Sequence, residues 1–268
     1  MLWRALRDIP NGFYVDVGAW SPEVDSVTLA FYERGWSGIN IEPNPVFHRQ
    51  LQQQRPRDQN LCVAVGAAED RLTITFFEDS GLSTFDPALA ALHQQAGRSS
   101  SVAEVRVSTL ATLLEQHVPS GQQLHFLKVD IEGLEYAALR GNDWERYRPW
   151  ILVVESTLPL SRTESHAEWE PLVLAAGYGL AYADGLNRFY VANEHAALLP
   201  ALRYPPNVFD DFVHVRTLRA ESQLAQSEAR ALLAQTRLHD FENSMTWRLA
   251  TPIRWAIRAL RLLQRLFR

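Results

Sequence analysis

Apolar and polar positions over the first 155 residues keep switching between a strand rhythm and a helix rhythm. Phe13, Tyr14, Val15 and Val17 are β-formers in one short run, as expected of a strand covered on both faces. Gly18 ends that run where the backbone must turn tightly. Ser21 as a cap and Pro22 in a first turn predict a helix over residues 21–34, stopped by Gly35. Residues 37–41 read as a second strand with Glu42 at its carboxyl end, and Asn44 and Pro45 open a helix that reaches residue 54. Residues 60–65 predict a third strand, ended by Gly66.

Residues 72–78 alternate Thr73 and Thr75 with Ile74 and Phe76, a strand with one solvated face. Residues 80–84 read as a loop, residues 86–101 as a mobile stretch, 103–107 as a strand and 109–117 as an amphipathic helix. A second long buried strand is predicted over 124–131, then a helix over 134–139, a strand over 150–154 ending at Glu155, and a helix over 169–176. Residues 178–182 and 188–191 form a hairpin across Asp184 and Gly185. This order predicts an α/β fold: a Rossmann-like, mostly parallel sheet with an antiparallel edge hairpin and a C-terminal helical extension.

The character changes after residue 217. Leu224, Ala231, Leu238 and Met245 recur every seventh position, with Ala220, Ser227, Ala234 and Phe241 four before each. This weak heptad over residues 217–246 suits a short coiled coil that joins copies of the chain, or a helix lying on its own domain. Thr251 and Pro252 then start a further helix. Arg254, Arg258, Arg261, Arg265 and Arg268 fall within an arc of roughly 80° at helical spacing. Trp255, Leu262, Leu263 and Leu266 are on the other side. A basic face opposite a wide apolar one is the pattern of a helix in a membrane interface. Residues 247–268 are therefore expected to meet a membrane surface, with a partner protein as the other reading.

Composition narrows the setting. The 268 residues suffice for one large α/β domain plus an appendage. A single cysteine, Cys62, excludes a disulfide framework and suits a reducing compartment; its apolar neighbours predict that it is buried. The N-terminus reads as lacking a signal peptide, and there is no stretch of 18 apolar residues. The expected place is cytoplasmic, peripheral on the inner face of the membrane. Residues 245–268 carry +6 and the whole chain −5, which leaves −11 for residues 1–244 and argues against nucleic acid as a partner.

The chemistry gathers at strand ends, where open α/β sheets build their sites. Asp16 and Gly18 follow the first strand, and Glu42 the second. The turn lacks the G-x-G-x-x-G spacing that a pyrophosphate needs, and Glu23 in the next turn would repel phosphate. That disfavours a nicotinamide-dependent enzyme. An acid at the strand end suits a cationic nucleoside such as S-adenosylmethionine, although a plain α/β unit without ligand, serving as a scaffold, stays open. Lys128 is the single lysine of the chain. Together with Asp130 and Glu132 it is expected on one side of the long strand, and charges in a buried strand are costly unless paired. Glu155 ends the next strand. Asp130, Glu132 and Glu155 are base candidates, and Lys128 would orient an acceptor. Asp130 and Glu132 suit a divalent ion by ligand type, but two carboxylates do not make a metal site. Among the histidines, only His166 qualifies as a further base candidate.

Asp16-Val17-Gly18-Ala19, Glu42-Pro43-Asn44, Val63-Ala64-Val65-Gly66 and above all Lys128-Val129-Asp130-Ile131-Glu132-Gly133-Leu134-Glu135 resemble the FkbM-type methyltransferases. The resemblance spans about residues 11–195. It departs from the family at Trp20-Ser21-Pro22, where many members carry Asn and a nearby Gly. It implies a class I methyltransferase domain over residues 1–205 that uses S-adenosylmethionine for O-methylation of a sugar, glycan or related metabolite. Its cofactor residues would be Asp16, Gly18, Ala19, Glu42, Asn44 and Val65, and its catalytic residues Lys128, Asp130, Glu132 and Glu155.

Overall fold

Strand β1 (Phe13–Val17) is buried at all five positions, inside a seven-stranded sheet. The computed structural model describes every residue except 78–82, 86–89, 92–93, 160, 211, 214, 246, 248–249 and 267–268. The sheet also contains β2 (Ser37–Ile41), β3 (Gln59–Leu61), β8 (Phe126–Val129), β9 (Ile151–Glu155), β10 (Tyr178–Ala183) and β11 (Asn187–Ala192), in the order β10-β11-β9-β8-β1-β2-β3. β11 runs opposite to the other six strands and pairs antiparallel with β10 and β9, while β1, β2, β3, β8 and β9 pair with one another in parallel. The chain builds outward from β1 to β2 and β3, then returns to place β8 on the other side of β1. The direction of winding thus reverses between β1 and β8, where such sheets open a crevice at the strand ends.

The two faces of β1 feed two cores. Val15 and Val17 pack with Ile39, Ile41, Leu127 and Val129 on one side, while Tyr14 packs with Phe31, Trp36 and Phe126 on the other. Each such fully buried large side chain stabilises by about 1.5–3 kcal/mol. On the second face the apolar layer ends one pleat before the strands do. Tyr14 stands opposite Phe126, ring stacked on ring at 5.6 Å, and the next pair in register is Asp16 opposite Lys128.

A second sheet, of four strands, is formed by β4 (Ala64–Val65), β5 (Asp70–Phe77), β6 (Ser83–Thr84) and β7 (Ser100–Ser108), in the order β4-β7-β5-β6. After the short helices α1 (Leu2–Leu6) and α2 (Leu29–Tyr32), helices α3 (Pro45–Gln54), α4 (Leu110–His117), α5 (Glu135–Arg140) and α6 (Glu170–Ala175) follow their strands in the expected places. Residues Met1–Pro206 make up one compact unit and Asn207–Arg268 a second. The second includes the α-helices Val215–Asn243 and Thr251–Leu266; every side chain from 216 to 243 is exposed.

Several expectations are corrected. The helix expected over 21–34 shrinks to Leu29–Tyr32. Ser21 Oγ does accept from the Glu23 and Val24 N–H groups, but Trp20 and Asp25 adopt positive φ on either side of that turn, so no helix propagates. The single strand expected over 60–65 is two strands in two sheets, because the chain leaves the first sheet after Leu61 and joins the second at Ala64. Cys62 sits at that break and is exposed, not buried. β8 stops at Val129, which puts Asp130 and Glu132 past the strand. Residues 80–82 and most of the early part of the stretch 86–101 lie outside the described residues; within the remainder, Ser83–Thr84 and Ser100–Ser108 are strands.

Candidate active site

The crevice at the β1/β8 reversal is built on a buried ion pair. Lys128 Nζ lies 3.2 Å from Asp16 Oδ1 and 3.3 Å from Asp130 Oδ2, and donates to the Gly18 carbonyl at 2.8 Å. Thr28 donates to the other oxygen of Asp16 at 3.2 Å. Burial alone would lower the Lys128 pKa, but Asp16 and Asp130 outweigh it and hold the ammonium protonated; burial raises that of Asp16. Gly18 has φ of +78°, and a Cβ there would fall 1.8 Å from the Asp130 carbonyl oxygen, so no other residue fits this turn.

The chain after β8 turns sharply. Glu132 adopts φ of +56°, left-handed for a residue with a Cβ, at a cost of about 1–2 kcal/mol. Glu135, buried in the first turn of α5, clamps this turn by accepting from the Ile131 N–H at 3.1 Å and the Gly133 N–H at 3.2 Å. The Lys-x-Asp-x-Glu-Gly-x-Glu spacing is thus one device: a cation at the strand end, two acids beyond it, and a fourth charge that holds the turn.

A cavity of about 340 Å³ opens above these residues. Gly18, Ala19 and Trp20 form one side of it, Glu42 stands at the end of β2, and Lys128, Asp130, Glu132 and Glu155 line another side. The second sheet contributes Ala64, Val65, Ile74 and Ser83, while Phe85 and Leu186 complete the wall. Glu42 accepts from the Trp20 N–H at 2.9 Å and the Asn44 N–H at 2.8 Å, yet burial still pushes its carboxyl up to about 7. Glu132 is pushed up to about 7 by burial and then by Asp130 and Glu135. Glu155 is pushed up to about 9 by burial and then by Asp130 and Glu132, so it holds its proton at neutral pH. Among the described residues Glu155 Oε2 and Trp20 Nε1 are buried without a hydrogen-bond partner.

Of the residues expected at the site, Gly18, Ala19, Glu42, Val65, Lys128, Asp130, Glu132 and Glu155 line the cavity. Asp16 and Asn44 do not. Asp16 is 1% exposed and stands behind Lys128, and Asn44 caps α3 by accepting from the Val46 N–H while its own N–H holds Glu42. His166 is outside the cavity, between Glu164 at 3.4 Å and Glu170 at 3.8 Å. Among the described residues no cluster of three or more His, Cys, Asp or Glu could hold a metal ion. Trp20, Asp25 and Phe85 were not anticipated. Asp25 was hidden by the helix predicted across it and Trp20 stands just before that helix, while nothing local to Phe85 points to a cavity wall in another sheet.

The sequence profile of the Methyltransferase FkbM domain matches residues 16–180. No curated protein sequence matches the chain. Among solved structures, the FkbM methyltransferase of Methylobacillus flagellatus KT is similar at 16% identity and a TM-score of 0.42, over 68% of this chain and 44% of that one. The chain thus spans less than half the length of that relative. A TehB-like SAM-dependent methyltransferase from Corynebacterium glutamicum ATCC 13032 Kitasato is similar at 11% identity and a TM-score of 0.36, over 71% of this chain and 84% of that one. With the profile covering more than half of its residues, this chain belongs to the FkbM family of S-adenosylmethionine-dependent methyltransferases.

Proposed function

We propose that this methyltransferase methylates a hydroxyl oxygen of a sugar, in a cell-surface glycan or a related metabolite. The observation that carries the reading is the set of three carboxylates, Asp130, Glu132 and Glu155, on one wall of the cavity. The residues present fit the cofactor. A volume of about 340 Å³ is within the range of small-molecule sites. Val63, Val65 and Phe47 offer apolar surface to a base, Glu42 can accept from ribose hydroxyls, and an acid-rich wall favours a sulfonium and an ammonium. Asp16 and Asn44 act indirectly, through Lys128 and Glu42.

Bound S-adenosylmethionine supplies an electrophilic methyl group. The protein's share is positioning and proton removal. Lys128 ties the Gly18 turn to Asp130. Glu155, protonated at neutral pH, could donate to an acceptor oxygen, whereas Glu132, poised near 7, would take the proton of the acceptor hydroxyl. The test is transfer of labelled methyl from the cofactor to a glycan extract, with the product analysed for O-methyl sugars. Label found only on nitrogen or carboxyl groups would overturn the reading.

We further propose that the tail holds the protein at the inner face of a membrane. The helix Thr251–Leu266 exposes Ile253, Trp255, Ile257 and Leu260, and the Arg254 guanidinium stacks over Trp247 at 3.2 Å. The sequence spacing of Arg254, Arg258, Arg261 and Arg265 is that of one helical face; the side chains from 261 onward and all of Arg268 lie outside what the structure describes. Among the described residues no helix is long and apolar enough to cross a membrane. An interfacial helix on an anionic leaflet fits this pattern, with each arginine contributing about 1 kcal/mol near the surface. Co-sedimentation with anionic vesicles should fall with salt and with Arg258→Glu plus Arg261→Glu. Equal pelleting with neutral lipid would assign the helix to a protein partner.

A further inference from the structure

We infer that the sugar accepted in this cavity carries no anionic group at the reacting residue: the substrate class is a neutral or amino sugar, not a uronic acid or a sugar phosphate. The inference rests on the hydroxyl-transfer reading above and comes from the charge census of the wall. Among the described residues the cavity is lined by five acids, Asp25, Glu42, Asp130, Glu132 and Glu155, and by one base, Lys128. An ammonium has three N–H donors. Those of Lys128 have Gly18 O at 2.8 Å, Asp16 Oδ1 at 3.2 Å and Asp130 Oδ2 at 3.3 Å to satisfy. Its charge is matched by Asp16 and Asp130, which leaves nothing for an incoming anion.

Among the described residues no other cation is within the lining. Arg55, the other deeply buried one, donates to the Pro22 carbonyl and to Ser26 and pairs with Asp58. Arg188, two residues beyond the wall residue Leu186, is engaged by Glu170 at 3.0 Å and Glu164 at 3.6 Å. From Gly66 to Gly97 the sequence holds one arginine and no lysine; that arginine, Arg71, is exposed and bonded to Glu104 at 3.1 Å. Even with Glu155 protonated, a phosphate or carboxylate on the acceptor would lie beside the acids Asp25, Glu42, Asp130 and Glu132 with no counter-ion free among the described residues, in a site that excludes part of its water. The cofactor's own carboxylate differs, since it arrives with its ammonium in the same zwitterion. Sugar hydroxyls suit the wall, because carboxylates accept what hydroxyls donate.

The experiment uses the full chain, methyl-labelled S-adenosylmethionine and an extract of glycans and glycolipids, hydrolysed to monosaccharides after reaction. Label in a neutral or amino sugar supports the inference, and label in a uronic acid or phosphorylated sugar overturns it. Label in no sugar hydroxyl sinks the hydroxyl reading itself. With a neutral acceptor in hand, its uronic acid counterpart should lose about 100-fold in kcat/KM, the scale of like-charge rejection; equal turnover would overturn the inference. A second measurement needs no acceptor. Melting of the S-adenosylhomocysteine complex should be the same in phosphate as in chloride at equal ionic strength. Extra protection by phosphate that is lost when the neutral acceptor or excess cofactor fills the cavity would reveal a free cationic subsite and overturn it.

Discussion

Two buried polar networks share strands β1 and β2, and they differ in what they leave open. In the first, Asp58 accepts from the Tyr14 hydroxyl at 2.7 Å, the Asn40 amide at 2.9 Å and the Gly38 N–H at 2.9 Å, with Arg55 at 4.0 Å. Its carboxylate is occupied on both oxygens, and Asp58, Asn40 and Arg55 are all absent from the cavity wall. In the second, centred on Asp16 and Lys128, five acids and one cation line an open cavity among the described residues, and no described residue pairs with Glu155 Oε2. Both contain buried charge, and among the described residues both leave atoms unpaired, Asn40 Oδ1 and Arg55 Nη1 in the first and Glu155 Oε2 in the second, but only Glu155 lines the cavity, where a ligand can reach it. Buried charge alone does not mark a site; buried charge left partly unsatisfied at a crevice does.

The largest test of this contrast is Lys128→Met. It leaves Asp16 as an uncompensated buried charge and should cost about 3–5 kcal/mol of stability, read by urea unfolding, as well as activity. A folded, fully active variant would mean that the pair does not organise the site. Glu132→Gln acts on chemistry alone. It should lower kcat by about 10²–10⁴-fold with little change in cofactor affinity, and the rise of rate with pH through about 7 should vanish. An unchanged pH profile would move the base role to Asp130 or Glu155.

The other network should respond in the opposite way. Asp58→Asn should cost about 1–3 kcal/mol of stability, since it weakens several buried hydrogen bonds, while the cofactor dissociation constant measured by calorimetry stays within error. A large loss of cofactor affinity would erase the distinction between the two networks. The smallest effect is in the pH dependence of melting. The folded-state pKa of Glu155 is raised, so the stability linked to its proton is fully present below the ordinary glutamate value and is lost as pH rises towards about 9. Wild-type protein should therefore lose melting temperature between pH 5 and pH 9 more steeply than Glu155→Gln, with Glu42 and Glu132 adding to the fall up to about 7 in both. Parallel curves would remove Glu155 from the buried acid cluster.

Much of the site was legible because its parts are local. A β-forming run ended by Gly18, an acid at the end of the next strand, and charges at alternate positions after residue 126 each leave a mark within a few residues. The missed parts are those where a longer-range contact overrode a local preference. Ser21 and Pro22 carry a helix-start signal, and Ser21 does form its capping turn. The turn does not propagate, because Trp20 gives its N–H to Glu42 and Thr28 gives its hydroxyl to Asp16, which bends the backbone towards the cavity.

The sequence by itself determined the alternation of strands and helices, the turn at Gly18 and the residue types available for chemistry, because propensity, periodicity and turn geometry act over a few residues. Only the tertiary structure decided that Asp16 meets Lys128, more than a hundred residues away, and so stands behind the cavity and not in it. It also decided that residues 59–65 divide between two sheets, and that Phe85 and Leu186 close the wall over the acids. Those facts depend on the order in which strands pair. That order is set by the burial of both faces of β1 over the whole unit, and no short stretch of sequence records it.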